Sequence, residues 1–573
     1  MDATAARRLT GPNLWLPTAG AAIEVAFSGA DDPEAAYGAW CASVRTVADW
    51  LGWPPPEFAR SDGADCATWA FSAPLDQLGT AAECAEAACS AAPPGPSALP
   101  AWRARAAAEA NPRTLAWVAA AEARELPWLL DDDGLSIGLG HRGRTWPLTE
   151  LPPDVALLAD WGSIPHALIT GTNGKTTTAR LLARILRHGG YFAGNTATDG
   201  WMLDGALIMP GDWTGPGGAR HVLRHPRVQA AALETARGGF LRRGLATVWA
   251  DVAVVTNVSD DHLDAQVPTV AAMAAVKLAI RRGIRPGGTL VLNAGCADLV
   301  AAALALGLPD GPYQIAWFAL RFSDFRDLPG TIRAWPLDGA LVVEKGRTRT
   351  VVAHLDAIAC TFGGAALHNV ANALAATLAA DAMAVAPAAI AEGLAAFGST
   401  LADNPGRANL LQLGGATVLV DFAHNPDGVR QVAALIDRWP SRRRTLLLGQ
   451  AGDRSDALMH AFVRAALFCR PDRVVLKDTD HYLRGRRKGE ITAVLAECLR
   501  AEGVAETAIE IAADEPAGIA ACLRDAAAGD LLILLIHDDF LAGIAQLRAA
   551  GAGESGAPAS PSQAAAPALP STP

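Results

Sequence analysis

Ile164–Gly190, with the sequence IPHALITGTNGKTTTARLLARILRHGG, is the stretch from which the fold can be predicted. The apolar run 166–170 predicts a buried strand, and the glycine-rich turn 171–174 follows it. After Lys175 and three threonines, apolar residues recur at helical spacing. A strand, a glycine-rich turn and a helix in this order are typical of a phosphate-binding loop. In such a loop backbone N–H groups surround the phosphates, Lys175 supplies positive charge and the Thr176 hydroxyl can reach Mg²⁺.

This loop departs from the strict pattern GxxxxGK[ST], whose first glycine would fall at Ile169. The run G-T-N-G-K-T-T instead resembles the variant found in the Mur ligase family, the ATP-dependent amide-forming ligases of peptidoglycan assembly and their relatives. The alternative is a helix that merely begins after Gly-Lys-Thr, but the agreement of strand, turn and helix favours the phosphate loop. The resemblance implies that ATP is bound by Gly171, Thr172, Asn173, Gly174, Lys175, Thr176 and Thr177.

The composition indicates a large globular protein. The chain has 573 residues, of which 51% are apolar and 19% charged, and this suggests several domains. A net charge of −11 argues against nucleic acid as a partner, because nucleic-acid binding needs a basic surface. No run of about eighteen apolar residues occurs, so no membrane association is expected. The nine scattered cysteines form no C-x-x-C pair and no apolar leader follows Arg7, so we expect reduced thiols, no signal peptide and a cytoplasmic location.

Changes in pattern along the chain predict an α/β protein with three domains and a tail. Residues 1–155 form a small α+β N-terminal domain with few strands and an alanine-rich helix. In residues 160–404 apolar strand-like runs alternate with helical periods, which predicts a central P-loop, parallel-sheet, ATPase-like domain. Residues 405–550 repeat this alternation and predict a C-terminal Rossmann-like α/β domain. The tail 551–573 is rich in Ala, Pro, Ser and Gly and is expected to be disordered.

Three residues downstream of the loop have side chains that suit an ATP–metal site. Glu234 ends a buried-looking strand, where its carboxylate can meet the Mg²⁺ held by Thr176. His262 follows a second strand in VVTNVSDDHLD, and Lys277 lies fifteen residues later on the helix predicted for 269–281. Each also has a simpler interpretation: Glu234 could pair with Arg237, His262 could be a loop histidine, and Lys277 could be an exposed helix lysine.

Together these residues resemble the corresponding set in the Mur ligases. In that family the matching glutamate and histidine hold two Mg²⁺ ions, and the matching lysine is carbamylated and helps to position a metal. The resemblance therefore implies ATP and two Mg²⁺ ions as cofactors. It also implies that the metal ligands are Thr176, Glu234, His262 and Lys277, and that catalysis depends on Lys175, Glu234, His262, Lys277 and Arg407.

Further motifs of the family occur in the second half of the chain. In GGAALHNVANALAA a helix opens near Asn372, which matches the family's adenine-contacting asparagine. Arg407 stands where the second α/β domain begins, and a guanidinium there can reach phosphates. The strand that follows ends in VDFAHNPDG, which resembles the signature D-[YF]-A-H-N-P. The resemblance implies that Asp421 holds the ribose and that His424 lies near the phosphates.

Several longer stretches are similar to cyanophycin synthetase, whose Mur-like half adds arginine to the side-chain carboxylate of an aspartate polymer. These stretches are TATDG (196–200), GDWTGP (211–216), ETARGGFLRRGL (234–245), PGRAN (405–409) and RGRRKGE (484–490). Residues 120–146 resemble the segment that leads into the ATP-grasp domain of that enzyme. Only about twenty residues then remain before the phosphate loop, too few for an ATP-grasp domain.

The resemblance predicts an ADP-forming ligase that makes one kind of amide bond, adding an amino acid to a carboxylate of an acidic peptide. Arginines 220, 237, 242 and 243 suit such an acceptor, although each could be an ordinary surface arginine. Two alternatives stay open: a ligase like folylpolyglutamate synthase, and a non-catalytic nucleotide-binding partner of a separate ATP-grasp ligase. A separate ATP-grasp ligase is also a candidate partner of an active enzyme, and a homo-oligomer is compatible with the sequence.

Overall fold

The computed structural model describes residues 2–28, 32–63, 65–90, 94–132, 134–261, 267–437 and 439–555. These residues belong to two compact units, one of Met1–Ala353 with Ala371–Leu394 and one of His354–Val370 with Ala395–Pro573. Both units are built on mixed α/β sheets, so the predicted α/β class is confirmed. The predicted boundaries of three separate domains stay predictions. No helix in the described ranges is long and apolar enough to span a membrane.

The N-terminal part of the first unit contains two small antiparallel sheets and four helices. The first sheet has the order β1-β3-β5-β4, with β2 also pairing with β3, and the second has the order β6-β7-β8. Trp40, Trp69 and Phe71 are fully buried between the first sheet and its helices, and the ring centroid of Trp40 lies 5.5 Å from that of Trp69 and 5.8 Å from that of Phe71. The elements are β1 (Asp2–Ala3), β2 (Arg7–Leu9), β3 (Gly20–Ala26), α1 (Pro33–Leu51), β4 (Phe58–Asp62), β5 (Cys66–Ser72), α2 (Leu78–Ala88), α3 (Leu99–Glu109), α4 (Pro112–Glu122), β6 (Trp128–Asp131), β7 (Gly134–Ile137) and β8 (Arg144–Trp146).

An eleven-stranded sheet forms the centre of the first unit. Its strands are β9 (His166–Thr170), β10 (Ala193–Ala197), β11 (Gly200–Leu203), β12 (Ala206–Pro210), β13 (Ala230–Glu234), β14 (Ala250–Val255), β15 (Ile284–Asn293), β16 (Gln314–Phe318), β17 (Ile332–Leu337), β18 (Ala340–Lys345) and β19 (Thr348–His354). The accompanying helices are α5 (Lys175–His188), α6 (Pro216–Arg224), α7 (Arg237–Arg243), α8 (Val270–Leu278), α9 (Ala297–Ala305), α10 (Leu367–Ala382) and α11 (Pro387–Ala395). The order is β12-β11-β10-β13-β9-β14-β15-β16-β17-β18-β19.

The strand order places the phosphate loop between two neighbouring strand ends. β9 pairs in parallel with β13 on one side and with β14 on the other. Ile169 is opposite Glu234, and Thr170 is opposite Val255. The segments that follow these three strands therefore leave the sheet at the same edge, which is where ligands bind in open α/β sheets.

The second unit contains a seven-stranded sheet of order β24-β23-β22-β25-β21-β20-β26. Five consecutive strands, from β24 at one edge to β21, are parallel, and the core consists mostly of leucine, valine, isoleucine and alanine side chains. The elements are β20 (Asn409–Leu413), β21 (Ala416–Asp421), α12 (Pro426–Ile436), β22 (Arg444–Leu448), α13 (Asp456–Leu467), β23 (Arg473–Lys477), α14 (Glu490–Ala501), β24 (Ile509–Ala512), α15 (Glu515–Arg524), β25 (Leu531–Leu535), α16 (Phe540–Ala549) and β26 (Gly553–Glu554).

Strand β26 corrects one prediction. Residues 551–573 were predicted to be disordered, but Gly553 and Glu554 pair with the edge strand β20. An edge strand offers unpaired backbone groups, and a short passing segment can satisfy them without burying a side chain. Residues 556–573 lie outside the described residues.

All nine cysteines are free thiols, as predicted.

Candidate nucleotide and metal site

Two glycines shape the loop between β9 and α5. Gly171 has φ +150°, and a Cβ there would lie 1.8 Å from Oγ1 of Thr256. Gly174 has φ +83°, and a Cβ there would lie 2.2 Å from Oδ1 of Asn372. Both positions therefore require glycine, for conformation and for space.

The segment after β14 braces the loop. Oγ1 of Thr256 donates to the carbonyl of Asn173 at 2.6 Å, and Oδ1 of Asn257 accepts from the N–H of Asn173 at 2.9 Å. The N–H of Ser259 donates to Oγ1 of Thr172 at 3.1 Å. Sequence reasoning missed these three residues as functional. Their only signal was their position directly after a buried strand, in the stretch TNVS.

Lys175 begins α5 and lies against the loop. Its ammonium donates to the carbonyl of Thr172 at 2.9 Å, so the charge is held beside the loop. Asn372, which is 5% exposed, approaches the same region from α10. Its Oδ1 accepts from Oγ1 of Thr178 at 3.4 Å. The structure thus brings Lys175 and Asn372 to the phosphate loop.

Thr176 and Glu234 form a buried, hydrogen-bonded pair of oxygen-bearing side chains. Oγ1 of Thr176 donates to Oε2 of Glu234 at 2.9 Å, and Glu234 is 1% exposed. Oγ1 of Thr198 lies 3.4 Å from Oγ1 of Thr176. A carboxylate and two hydroxyls are the hard oxygen donors that Mg²⁺ prefers, so these residues fit that ion. Within the ranges that the structure covers, no group of three His, Cys, Asp or Glu side chains forms a metal site.

Lys277 is buried in α8 rather than exposed, contrary to its simpler interpretation. Burial, reinforced by the neighbouring charge of Lys175, lowers the pKa of its ammonium well below the usual value, while Asp261 opposes the shift. A cavity of about 10 Å³, roughly the space of one water molecule, is lined by Lys277, Thr170 and Arg237 among others. Lys277 therefore lies close to the end of β9. His262, the other predicted metal ligand, lies outside the described residues.

A second group of predicted residues lies together in the second unit. Asp421, at the end of β21, accepts from the backbone N–H groups of Ala408 at 2.7 Å and Ala423 at 2.8 Å. Burial raises the pKa of its carboxyl, and Arg407 opposes this shift. The guanidinium of Arg407 lies 5.0 Å from the ring centre of Phe422.

The rest of the DFAHNP motif turns the chain into α12. Nδ1 of His424 lies 3.1 Å from the carbonyl oxygen of Phe422. Asn425 caps α12 by accepting from the N–H of Gly428 at 2.8 Å, and Pro426 occupies the first helical position. The motif thus ends a strand and starts a helix while presenting Asp421 and His424 in the same turn region.

Sequence comparison places these two groups of residues in one family. A model of the Mur ligase middle domain matches residues 169–380, and a model of the Mur ligase glutamate ligase domain matches residues 406–535. UDP-N-acetylmuramoyl-L-alanyl-D-glutamate–2,6-diaminopimelate ligase of Xanthomonas campestris is 30% identical over 377 residues, covering 64% of this chain and 70% of that protein. The chain belongs to the Mur ligase family. In this Mur ligase the middle-domain match contains Lys175, Thr176, Glu234, Lys277 and Asn372.

Other similar proteins share the Mur-like part. Cyanophycin synthetase of Trichormus variabilis is 38% identical over 341 residues, covering 58% of this chain and 37% of that protein. That of Synechocystis is 37% identical over 392 residues, covering 66% of this chain and 44% of that protein. This Mur ligase thus spans between 37% and 44% of the length of these two cyanophycin synthetases. The structure of E. coli FolC with DHPP and ADP has a TM-score of 0.50 at 19% identity, covering 68% of this chain and 89% of that one, and shares the fold.

Proposed function

We propose that this chain is an ATP-dependent, ADP-forming ligase. It would join the amine of an amino acid to a carboxylate of an acidic acceptor, an aspartate side chain of a peptide, through an acyl phosphate. The observation that carries the proposal is the Thr176–Glu234 oxygen pair, 2.9 Å apart, directly beside a braced glycine loop. Membership of the Mur ligase family and similarity to cyanophycin synthetases support it.

The loop residues would hold the nucleotide phosphates. Helix α5 begins at Lys175, directly after the loop, and such a helix start attracts anions. The Lys175 ammonium, which donates to the carbonyl of Thr172, would turn to the phosphate oxygens. Asn372 would contact the adenine and Asp421 the ribose. Arg407 and His424 would meet the phosphates.

Thr176 and Glu234 would hold one Mg²⁺, and His262 with Lys277 would contribute to a second. When bound, these ions would neutralise negative charge on the phosphates during transfer. The burial of Glu234 keeps its carboxylate oriented by Thr176 rather than by water. The residues therefore supply a fixed set of oxygen ligands beside the loop, which lowers the reorganisation needed during reaction.

The proposed chemistry has two steps. First, a carboxylate oxygen of the acceptor attacks the γ-phosphorus of ATP, the bond to the bridging oxygen breaks, and ADP leaves. Second, the amine nitrogen attacks the acyl carbon, a C–N bond forms, phosphate leaves with the C–O electron pair, and the nitrogen loses a proton. Lys175 and Arg407 would stabilise the charge on the transferred phosphoryl group.

Carbamylation of Lys277 is part of the proposal. The carbamate forms when a neutral amine adds CO₂ and releases a proton. Burial and the charge of Lys175 lower the pKa of Lys277, so the neutral form is favoured relative to an exposed lysine. The product would be a buried anion, which the positive charges of Lys175 and Arg237 would stabilise.

The acceptor, the partner and the domain division are also proposals. Because the chain matches only the Mur-like part of cyanophycin synthetases, a separate ATP-grasp ligase would make the acidic acceptor. The chain would work in the cytoplasm, alone or as a homo-oligomer. Its functional divisions would be residues 1–155, 160–404 and 405–550.

ADP release with ATP and Mg²⁺, measured while amino acids are screened against short aspartyl peptides and folates, tests the function. Mass spectrometry of the product names both substrates. We expect an aspartyl peptide heavier by one amino acid, and loss of this product in Lys175→Ala but not in the exposed control Lys345→Ala. Tight ATP binding without turnover on any acceptor would support the nucleotide-binding partner instead. Turnover on folates alone would support a ligase like folylpolyglutamate synthase.

A further inference from the structure

A second, larger cavity lies in the first unit, away from the phosphate loop residues. Its volume is about 590 Å³, within the range of roughly 300–1,000 Å³ that is usual for small-ligand sites. It is lined by β2, β3, α2 and the end of α7. Its charged lining residues are Arg7, Arg8, Arg242, Arg243 and Glu24. We call it the arginine cavity.

The arginines of this cavity are poorly compensated. Arg8 pairs with Asp132 at 3.4 Å, but both side chains are largely exposed and the pair is weak. Among the described residues, none forms an ion pair with Arg7, Arg242 or Arg243. The whole chain, in contrast, carries a net charge of −11. The cavity is thus a local concentration of positive charge on an acidic protein.

Arg7 gives a second, independent observation. Its Nη2 is buried and has no hydrogen-bond partner among the described residues. The rest of the guanidinium lies 5.6 Å from the ring centre of Trp15, so the group is held in place. A buried donor without a partner costs on the order of 1–3 kcal/mol, so the guanidinium of Arg7 is not fully compensated by the described residues. Burial lowers the pKa of Arg7, Glu24 opposes this shift, and the neighbouring charge of Arg242 adds to it.

Helix α7 links the cavity to the candidate active site. It begins at Arg237, which lines the small cavity beside Lys277, and ends at Arg243 in the arginine cavity. Six steps along a helix cover about 9 Å. An extended peptide covers about 3.3–3.6 Å per residue, so about three residues would span this separation.

We propose that the arginine cavity binds carboxylates of an acidic peptide acceptor, about three residues away from the carboxylate that reacts. The inference rests on the proposed ligase function and adds an anchoring site to it. Guanidinium groups match carboxylates in two-point hydrogen bonds, and several of them in one cavity select a ligand with several carboxylates. The cavity would therefore favour a poly-acidic acceptor over one with a single aspartate.

The experiment compares two double variants of the full chain. Arg242→Gln with Arg243→Gln changes the cavity, and both residues are exposed, so folding should persist. The control, Arg321→Gln with Arg326→Gln, removes the same charge from another exposed part of the first unit. Fluorescence anisotropy without ATP measures binding of a labelled oligo-aspartate, with oligo-asparagine and a short oligothymidylate as reference ligands. ADP release then gives KM and kcat for the same oligo-aspartate.

We expect the cavity variant to bind oligo-aspartate about tenfold more weakly than the wild type, and the control variant to bind normally. In the ligase assay KM should rise with little change in kcat, and binding should weaken with added salt. Equal affinity of wild type and cavity variant would overturn the proposal, as would equal binding of oligothymidylate or oligo-asparagine. Loss of peptide binding in the cavity variant, with no turnover by any variant, would support the cavity and refute the ligase function.

Discussion

Replacing Glu234 by Gln tests the metal site with the least structural change. Gln has nearly the same shape, and its amide oxygen can still accept the 2.9 Å hydrogen bond from Thr176. The substitution removes one buried negative charge at a residue that is 1% exposed. We therefore expect the free energy of unfolding to change by no more than about 1 kcal/mol, because the packing and the hydrogen bond persist.

Activity should respond very differently from stability. Loss of a charged metal ligand should lower kcat/KM at least ~100-fold, equal to about 2.7 kcal/mol of transition-state stabilisation. It should also raise the Mg²⁺ concentration needed for half-maximal ADP release. The surface variant Glu344→Gln, whose residue pairs with Arg349, is the matched control. If Glu234→Gln kept the wild-type rate and the wild-type dependence on Mg²⁺, the metal site would be refuted. If its free energy of unfolding fell by as much as its activation free energy rose, the loss of activity would be due to loss of structure.

Three further predictions follow from buried charges. Lys277→Ala should lower turnover at least ~100-fold, and removal of CO₂ should reversibly inactivate the wild type; full activity without CO₂ would contradict carbamylation. Glu515→Gln should lower the free energy of unfolding, measured in urea, by about 3 kcal/mol, because its fully buried ion-pair partner Lys477 loses its counter-charge. The double variant with Lys477→Met should regain most of the lost stability. Burial lowers the pKa of His368 to about 4 from 6.5, so the unfolded chain binds the proton that the folded chain rejects. Stability should therefore fall as pH drops from 6.5 to 4, by at most about 3 kcal/mol for this group, and His368→Gln should show a smaller fall in thermal denaturation.

The elements nearest the site could be predicted from the sequence because their signals are local. A buried strand, two glycines and an amphipathic helix follow one another within residues 166–188, and the structure has β9, the loop and α5 there. The strand β13 ending at Glu234 and the turn after β21 carry equally local patterns. Each depends on periodicity and turn chemistry over a few residues, which a single sequence contains.

Strand neighbours could not be predicted in this way. Thr256 and Asn257 brace the phosphate loop only because β14 pairs with β9, although 84 residues separate Asn257 from Asn173. The pattern of one strand does not specify which strand lies beside it. Strands β16–β19, which extend the central sheet at one edge, were also not predicted from the sequence. These strands lie far along the sheet from the phosphate loop, and none of the recognised motifs falls on them.

The packing of the N-terminal part explains why the arginine cavity can act at a defined distance. Leu9, Trp15 and Leu16 belong to the same buried core as Leu168 of β9 and Leu245 after α7. The N–H of Leu245 donates to the carbonyl of Pro12 at 2.8 Å.

Charged groups add a second attachment, which joins α6 to the small sheet of β6–β8. Arg224, at the end of α6, donates to both carboxylate oxygens of Asp131 at 2.8 and 2.9 Å. A close-packed core deforms little, and a partly buried two-point ion pair restricts rotation between α6 and the small sheet of β6–β8. The shared core and the hydrogen bond between Leu245 and Pro12 therefore fix the N-terminal strands against α7. In an acceptor peptide bound at Arg7 and Arg242, the distance from the bound residue to the region of Lys277 would be nearly constant. The reacting residue would therefore lie a fixed number of residues from the bound one.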